Sequence, residues 1–193
     1  MDGATLFASR REVLAAIASI AVGGAGAGES AVAAPVIPGA SDFDFLHGAW
    51  AVRHRKLTRR LAGSSTWVEF PGALNVRPIL GGSGNIDENV LEDPAGHYLA
   101  TSIRLFDPKT GLWSIYWADG RVAGLDAPVV GRFEGRLGRF FLNDTFEGRP
   151  IRVRTTYEDQ GAGRAQWTQS FSPDAGESWE INWIMDFSRE AQA

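Results

Sequence analysis

Cysteine is absent from the 193 residues, so a disulfide framework, a thiolate metal site and a cysteine nucleophile are all excluded. The core alone must hold the fold. Histidine is scarce: His47, His54 and His97 are the whole set, and none falls into H-x-H or H-E-x-x-H spacing. Neither a metal nor a cofactor is therefore expected. No basic tract accompanies the net charge of −4, which argues against nucleic acid as a partner. The weakly apolar stretch near the N terminus falls short of the ~20 residues that a membrane-spanning helix needs.

Aromatics, by contrast, are abundant, with seven Trp and eleven Phe. Side chains of that size bury large areas, so an aromatic-lined core or pocket is expected. The length suits one domain rather than two. Ser9-Arg10-Arg11-Glu12-Val13-Leu14, followed by an Ala/Ile/Val/Gly run to about Gly28, reads as a twin-arginine export signal. Ala31-Val32-Ala33 offers the small residues a signal peptidase reads, and cleavage before Ala34 is expected. The other reading is a short N-terminal helix. Export places residues 1–33 in the signal peptide and the mature protein in the periplasm, with the twin-arginine machinery as a partner. Residues 34–40, with Pro35 and Pro38, read as a linker, and residues 41–189 as a single domain.

Ser41 to His47 begins with capping residues and sets Phe43, Leu46 and Trp50 at helical spacing, so a short helix ending at Gly48 is expected. Everything after it reads as strand. The clearest unit is a hairpin: Leu99, Thr101, Ile103 and Leu105 alternate with Ala100, Ser102, Arg104 and Phe106, and Trp113, Ile115 and Trp117 alternate with Ser114 and Tyr116. Between the arms, Asp107, Pro108 and Gly111 supply turn chemistry. Ten strands are expected, at 50–57, 66–76, 84–91, 98–106, 112–118, 129–135, 139–146, 151–157, 164–171 and 179–188. Short links between consecutive strands predict an all-β, up-and-down antiparallel barrel with a short N-terminal helix; a β-sandwich is the alternative. Trp113/Ile115/Trp117, Ile151/Val153/Thr155/Tyr157, Ala165/Trp167/Gln169/Phe171 and Ile181/Trp183/Met185/Phe187 form an apolar face, assigned to the interior on burial grounds. The reverse is a polar lumen with the Trp-rich face buried in a homodimer.

Phe45-Leu46-His47-Gly48-Ala49-Trp50 resembles the opening of the lipocalin and fatty-acid-binding barrels, the calycins, in which a short helix leads through Gly-x-Trp into the first strand. The resemblance implies that Trp50 closes one end of the barrel and that a late basic residue, Arg189, packs across it by a cation–π contact. From about Ser41 to Arg189 the chain also resembles an uncharacterised bacterial lipocalin-like family, a domain of unknown function. That likeness rests on the Leu80-Gly81-Gly82-Ser83-Gly84-Asn85-Ile86-Asp87-Glu88 stretch, the hairpin with Trp113-x-x-x-Trp117, Gly148-Arg149-Pro150-Ile151-Arg152-Val153-Arg154, and Gln169-x-Phe171-Ser172-x-Asp174 through Trp183-x-Met185-x-Phe187. It implies a barrel and, by analogy, a ligand cavity.

The remaining motifs are read as structure. Ser172-Pro173-Asp174-Ala175-Gly176-Glu177-Ser178-Trp179 matches a single Asp-box, a hairpin turn in which the Asp binds the backbone. Gly81-Gly82-Ser83-Gly84 lacks the Lys and the following helix of a phosphate loop and reads as a glycine bulge. The expected function is binding of a small apolar or aromatic molecule. Trp117, Trp167 and Trp183 would form the wall, Glu88, Arg104 and Gln169 would orient the ligand, and His54 would face inward. The alternative is a cofactor-independent isomerase, lyase or hydrolase with Glu69, Asp87 or Glu88 as general base. Glu88 is taken to share the inner face with Ile86 and Val90. Arg104 falls on the polar phase, so its inward orientation would need a bend or bulge.

Overall fold

A computed structural model describes residues 38–189; the expected signal peptide and residues 34–37 of the linker lie outside them. The chain forms ten strands: β1 (Gly48–Leu57), β2 (Trp67–Ile79), β3 (Gly84–Leu91), β4 (Tyr98–Asp107), β5 (Leu112–Asp119), β6 (Val129–Glu134), β7 (Leu137–Phe146), β8 (Arg149–Gly161), β9 (Arg164–Ser172) and β10 (Glu180–Ser188). Each pairs antiparallel with its sequence neighbours, and β1 pairs with β10, so the sheet closes into an up-and-down barrel. Closure removes the open edges that a sandwich of these strands would leave. All ten expected strands are present, with ends moved by three residues at most, apart from β8, which continues four residues further. No helix among the described residues is long and apolar enough to cross a membrane.

The expected N-terminal helix is a single 3-10 turn, Asp44–Leu46, and Trp50 already belongs to β1. Gly48, at φ 98°, supplies the left-handed backbone that turns the chain from one to the other. This turn plugs one end of the barrel. Phe43 and Leu46 are fully buried, and the Phe43 ring meets Trp113, Phe133 and Tyr157 edge-on at 4.9, 4.9 and 5.0 Å. Burial of such side chains contributes about 1.5–3 kcal/mol each. Trp50 seals the same end, its Nε1 donating to the Leu46 carbonyl at 2.8 Å. Across its ring lies the Arg189 guanidinium at 4.2 Å, which also donates to the carbonyls of Phe45 and His47. The cation–π contact implied by the calycin likeness is thus present.

The inner face follows the expected apolar set on β5, β8 and β9, and on β10 from Trp183 onward. Ile181 departs from it: a bulge between Ile181 and Trp183 shifts the phase, leaving Ile181 43% exposed and burying Asn182. On β3 and β4 the apolar rule inverts. Asn85, Asp87 and Asn89 face inward with Ser102 and Arg104, while Ile86, Val90, Leu99, Ile103 and Leu105 lie on the outer face. The hairpin register dictates this, because cross-strand partners share a face. Phe106 pairs with Trp113, Arg104 with Ile115 and Ser102 with Trp117, so the inward phase of β5 carries Arg104 inward without bend or bulge.

The two turn motifs are structural. Leu80–Gly82 is a 3-10 turn joining β2 to β3 rather than a bulge. In the Asp-box, Asp174 accepts from the Ser178 backbone and hydroxyl and from the Ser172 hydroxyl, and Trp179 Nε1 donates to the Gly176 carbonyl. The Ser178 hydroxyl, then the Ser178 and Ser172 bonds together, hold the Asp174 carboxyl far below the usual carboxylate range.

Candidate ligand-binding cavity

Above the plug the barrel interior is not filled. A cavity of about 530 Å³ runs from Arg104 and Tyr157 near the plug to a rim formed by Lys56, Arg60, Arg121, Asp126 and Asp144. That volume lies in the range of pockets for drug-sized molecules. The rim belongs to the end where β1–β2, β5–β6 and β7–β8 connect, opposite the plug.

The wall is aromatic because β5, β9 and β10 present their large residues inward. Trp117, Trp167 and Trp183 line it, and the Trp183 ring meets Trp117 at 6.0 Å and Trp167 at 5.3 Å, both near perpendicular. Met185 and Phe187 extend this surface on β10, and Ile115 does so on β5. Gln169 and Thr155, paired across β8 and β9, also line the cavity. Gln169 Oε1 and Thr155 Oγ1 are buried without a hydrogen-bond partner among the described residues. A buried acceptor left unpaired costs free energy of about 1–3 kcal/mol, so these two atoms are natural points for a ligand hydroxyl or N–H.

The floor carries a charged network. Arg104 Nη2 donates to Asp87 Oδ2 at 2.6 Å and to the Tyr157 hydroxyl at 3.1 Å, and Nη1 donates to Asn85 Oδ1 at 2.9 Å. Asp87 Oδ1 accepts from Asn89 Nδ2 at 2.6 Å and from the Ser102 backbone at 2.8 Å. Arg104 is 2% exposed and the Asp87 side chain fully buried, so neither charge is hydrated and each depends on the other. Burial pushes the Tyr157 phenol up, which keeps it neutral beside Arg104.

At the rim, Lys56 Nζ donates to Asp93 at 3.0 Å and to the Tyr98 hydroxyl at 2.7 Å, and sits 4.1 Å from the Trp183 ring. Burial lowers its pKa, with Asp93 opposing. Burial likewise pushes the Tyr98 phenol up to about 12. Arg121 stacks on Tyr98 at 3.6 Å and pairs with Asp119 at 2.6 Å. Next to the rim, His54 stacks on Phe70 at 4.7 Å and accepts from Trp183 Nε1 at 3.3 Å. That acceptor role at Nδ1 places the ring proton on Nε2.

Of the residues singled out from sequence, Arg104, Trp117, Trp167, Gln169 and Trp183 come together on the cavity. His54 is fully buried and touches the wall through Trp183. Glu88 does not join them. It is exposed on the outer face, because Ile86 and Val90 point outward and carry it with them. Glu69 also faces out, paired with Arg53. Asp87 is the inward acid, at the floor. Lys56, Arg60 and Arg121 also line the cavity, beyond the residues expected from the sequence. Lys56 continues the Trp50/Val52/His54 phase and was legible, whereas Arg60 and Arg121 lie outside any alternating run. No family model matches the chain, and no curated protein matches its sequence. Among the described residues no group of three His, Asp or Glu could hold a metal ion.

Proposed function

We propose that the barrel is a carrier for a single small apolar or aromatic molecule, acting in the periplasm after export by the twin-arginine machinery. One observation carries the reading: a cavity of about 530 Å³, walled by Trp117, Trp167 and Trp183, is lined by residues with three buried polar atoms (Gln169 Oε1, Thr155 Oγ1 and Arg104 Nε) that have no hydrogen-bond partner among the described residues. A purely structural barrel would gain by filling such a space, since unfilled volume forfeits packing. The calycin-like plug supports placing the chain in the bacterial lipocalin-like family that it resembles. A homodimer would use the outward strip of Ile86, Val90, Leu99, Ile103 and Leu105.

Catalysis by a carboxylate base fits less well. Glu69 and Glu88 face away from the cavity, and the Asp87 oxygens are occupied by Arg104, Asn89 and the Ser102 backbone. A general base must reach the proton it takes.

Titration with N-phenyl-1-naphthylamine tests the carrier reading. Probe emission should rise and tryptophan emission should fall together, saturating at one probe per barrel. Unchanged tryptophan emission at saturating probe would refute it.

A further inference from the structure

The cavity is electrically asymmetric. At the floor, Arg104 is neutralised by Asp87 at 2.6 Å, and an incoming anion would meet that buried carboxylate beside the guanidinium. The floor therefore suits a neutral polar group rather than an anion. At the rim, Lys56 is paired with Asp93 and Arg121 with Asp119. Arg60 differs: no hydrogen bond or ion pair holds its guanidinium among the described residues. It lies half-buried, 5.5 Å from the Phe171 ring, on the cavity edge. The loop that bears it is fixed in place, since the Leu61 backbone donates to Glu180 Oε1 at 2.6 Å and Thr58 to the Thr66 carbonyl at 2.9 Å. Glu180 is thereby engaged, and Asp126 and Asp144 line the rim from the β5–β6 connection and β7. Glu180 acts on Arg60 through space but makes no ion pair with it. A partly desolvated cation with no counter-ion in contact is costly, and a ligand anion would offset that cost.

We infer that Arg60 is the binding group for a ligand carboxylate, so that the cargo is an aromatic or apolar acid held head-outward, with its body against Trp117, Trp167 and Trp183. This rests on the cavity being a ligand site. The head would sit against Arg60 on the β1–β2 side of the rim, away from the like charges of Asp126 and Asp144. A guanidinium matches the two oxygens of a carboxylate with two parallel donors.

Two probes that share one body separate the claims. 1-Anilinonaphthalene-8-sulfonate carries an anionic head standing in for the carboxylate, and N-phenyl-1-naphthylamine lacks it. Arg60→Met should weaken the sulfonate about tenfold, as loss of one charge-assisted contact would, and leave the neutral probe within about twofold. Arg60→Lys keeps the charge without the paired donors, so its sulfonate affinity should fall between those of the wild type and Arg60→Met. Arg59→Met, at an exposed neighbour, should change neither probe. Equal weakening of both probes by Arg60→Met would give Arg60 a structural role and overturn the assignment. So would unchanged sulfonate binding, with the cavity reading left standing. Failure of the wild-type protein to bind the neutral probe would instead remove the cavity reading itself.

Discussion

Acidification should destabilise this barrel through one residue, His54, by an amount that its surroundings allow to be worked out. The ring is fully buried, stacked on Phe70 at an interplanar angle of 9°, and it accepts from Trp183 at Nδ1. Burial first, then the charge of Lys56, pulls its pKa down from 6.5 to about 4, with Asp93 opposing. The folded protein therefore favours the neutral ring. Its stabilisation is complete above pH 6.5 and is lost progressively as the pH falls from there toward 4. At about 1.4 kcal/mol per unit, with the folded ring partly protonated near the end of the range, the loss between pH 7.5 and pH 4.5 is about 2.5 kcal/mol. The assay is urea unfolding at those two pH values for the wild type and for His54→Leu. All other ionisable groups are common to both proteins, so the difference between the two pH responses isolates His54. The wild type should lose about 2.5 kcal/mol more than the variant. Equal losses would refute the burial argument, whatever the variant's absolute stability.

Two further variants probe the interior. Arg104→Met leaves Asp87 buried without its counter-charge and should cost about 3–5 kcal/mol, while adding Asp87→Asn should restore part of it; denaturant midpoints of the three proteins decide. A Cβ at position 72 would fall 2.5 Å from both His54 Nε2 and the Val90 carbonyl, so Gly72→Ala should destabilise by about 1–3 kcal/mol and shift the His54 ring resonances in NMR.

How far the chain was legible varied with the physical source of each feature. The strands stood out because alternation and turn residues are local signals, and the plug at Trp50 followed from a local motif. Orientation was harder. On β5, β8 and β9 apolar residues face inward, and burial alone sorts them. On β3 and β4 it sorts them wrongly, since the network of Arg104, Asp87, Asn85 and Asn89 pairs its charges and most of its polar atoms with one another and can be buried. The register of the β4–β5 hairpin contained the answer: with Trp113 inside, its partner Phe106 is inside, and Arg104 follows two residues away. Glu88 lies outside because its apolar neighbours Ile86 and Val90 occupy the outer face, against the burial rule that would put them inside. Arg60 had no such signal, because a loop residue acquires its position from tertiary contacts such as that of Leu61 with Glu180.

Native mass spectrometry of the protein purified from the envelope of its own host tests the central claim most directly. The account predicts the mass of residues 34–193 plus one stoichiometric small molecule, released on denaturation and extractable as an organic acid. The polypeptide mass alone, from cells broken without detergent, would contradict it.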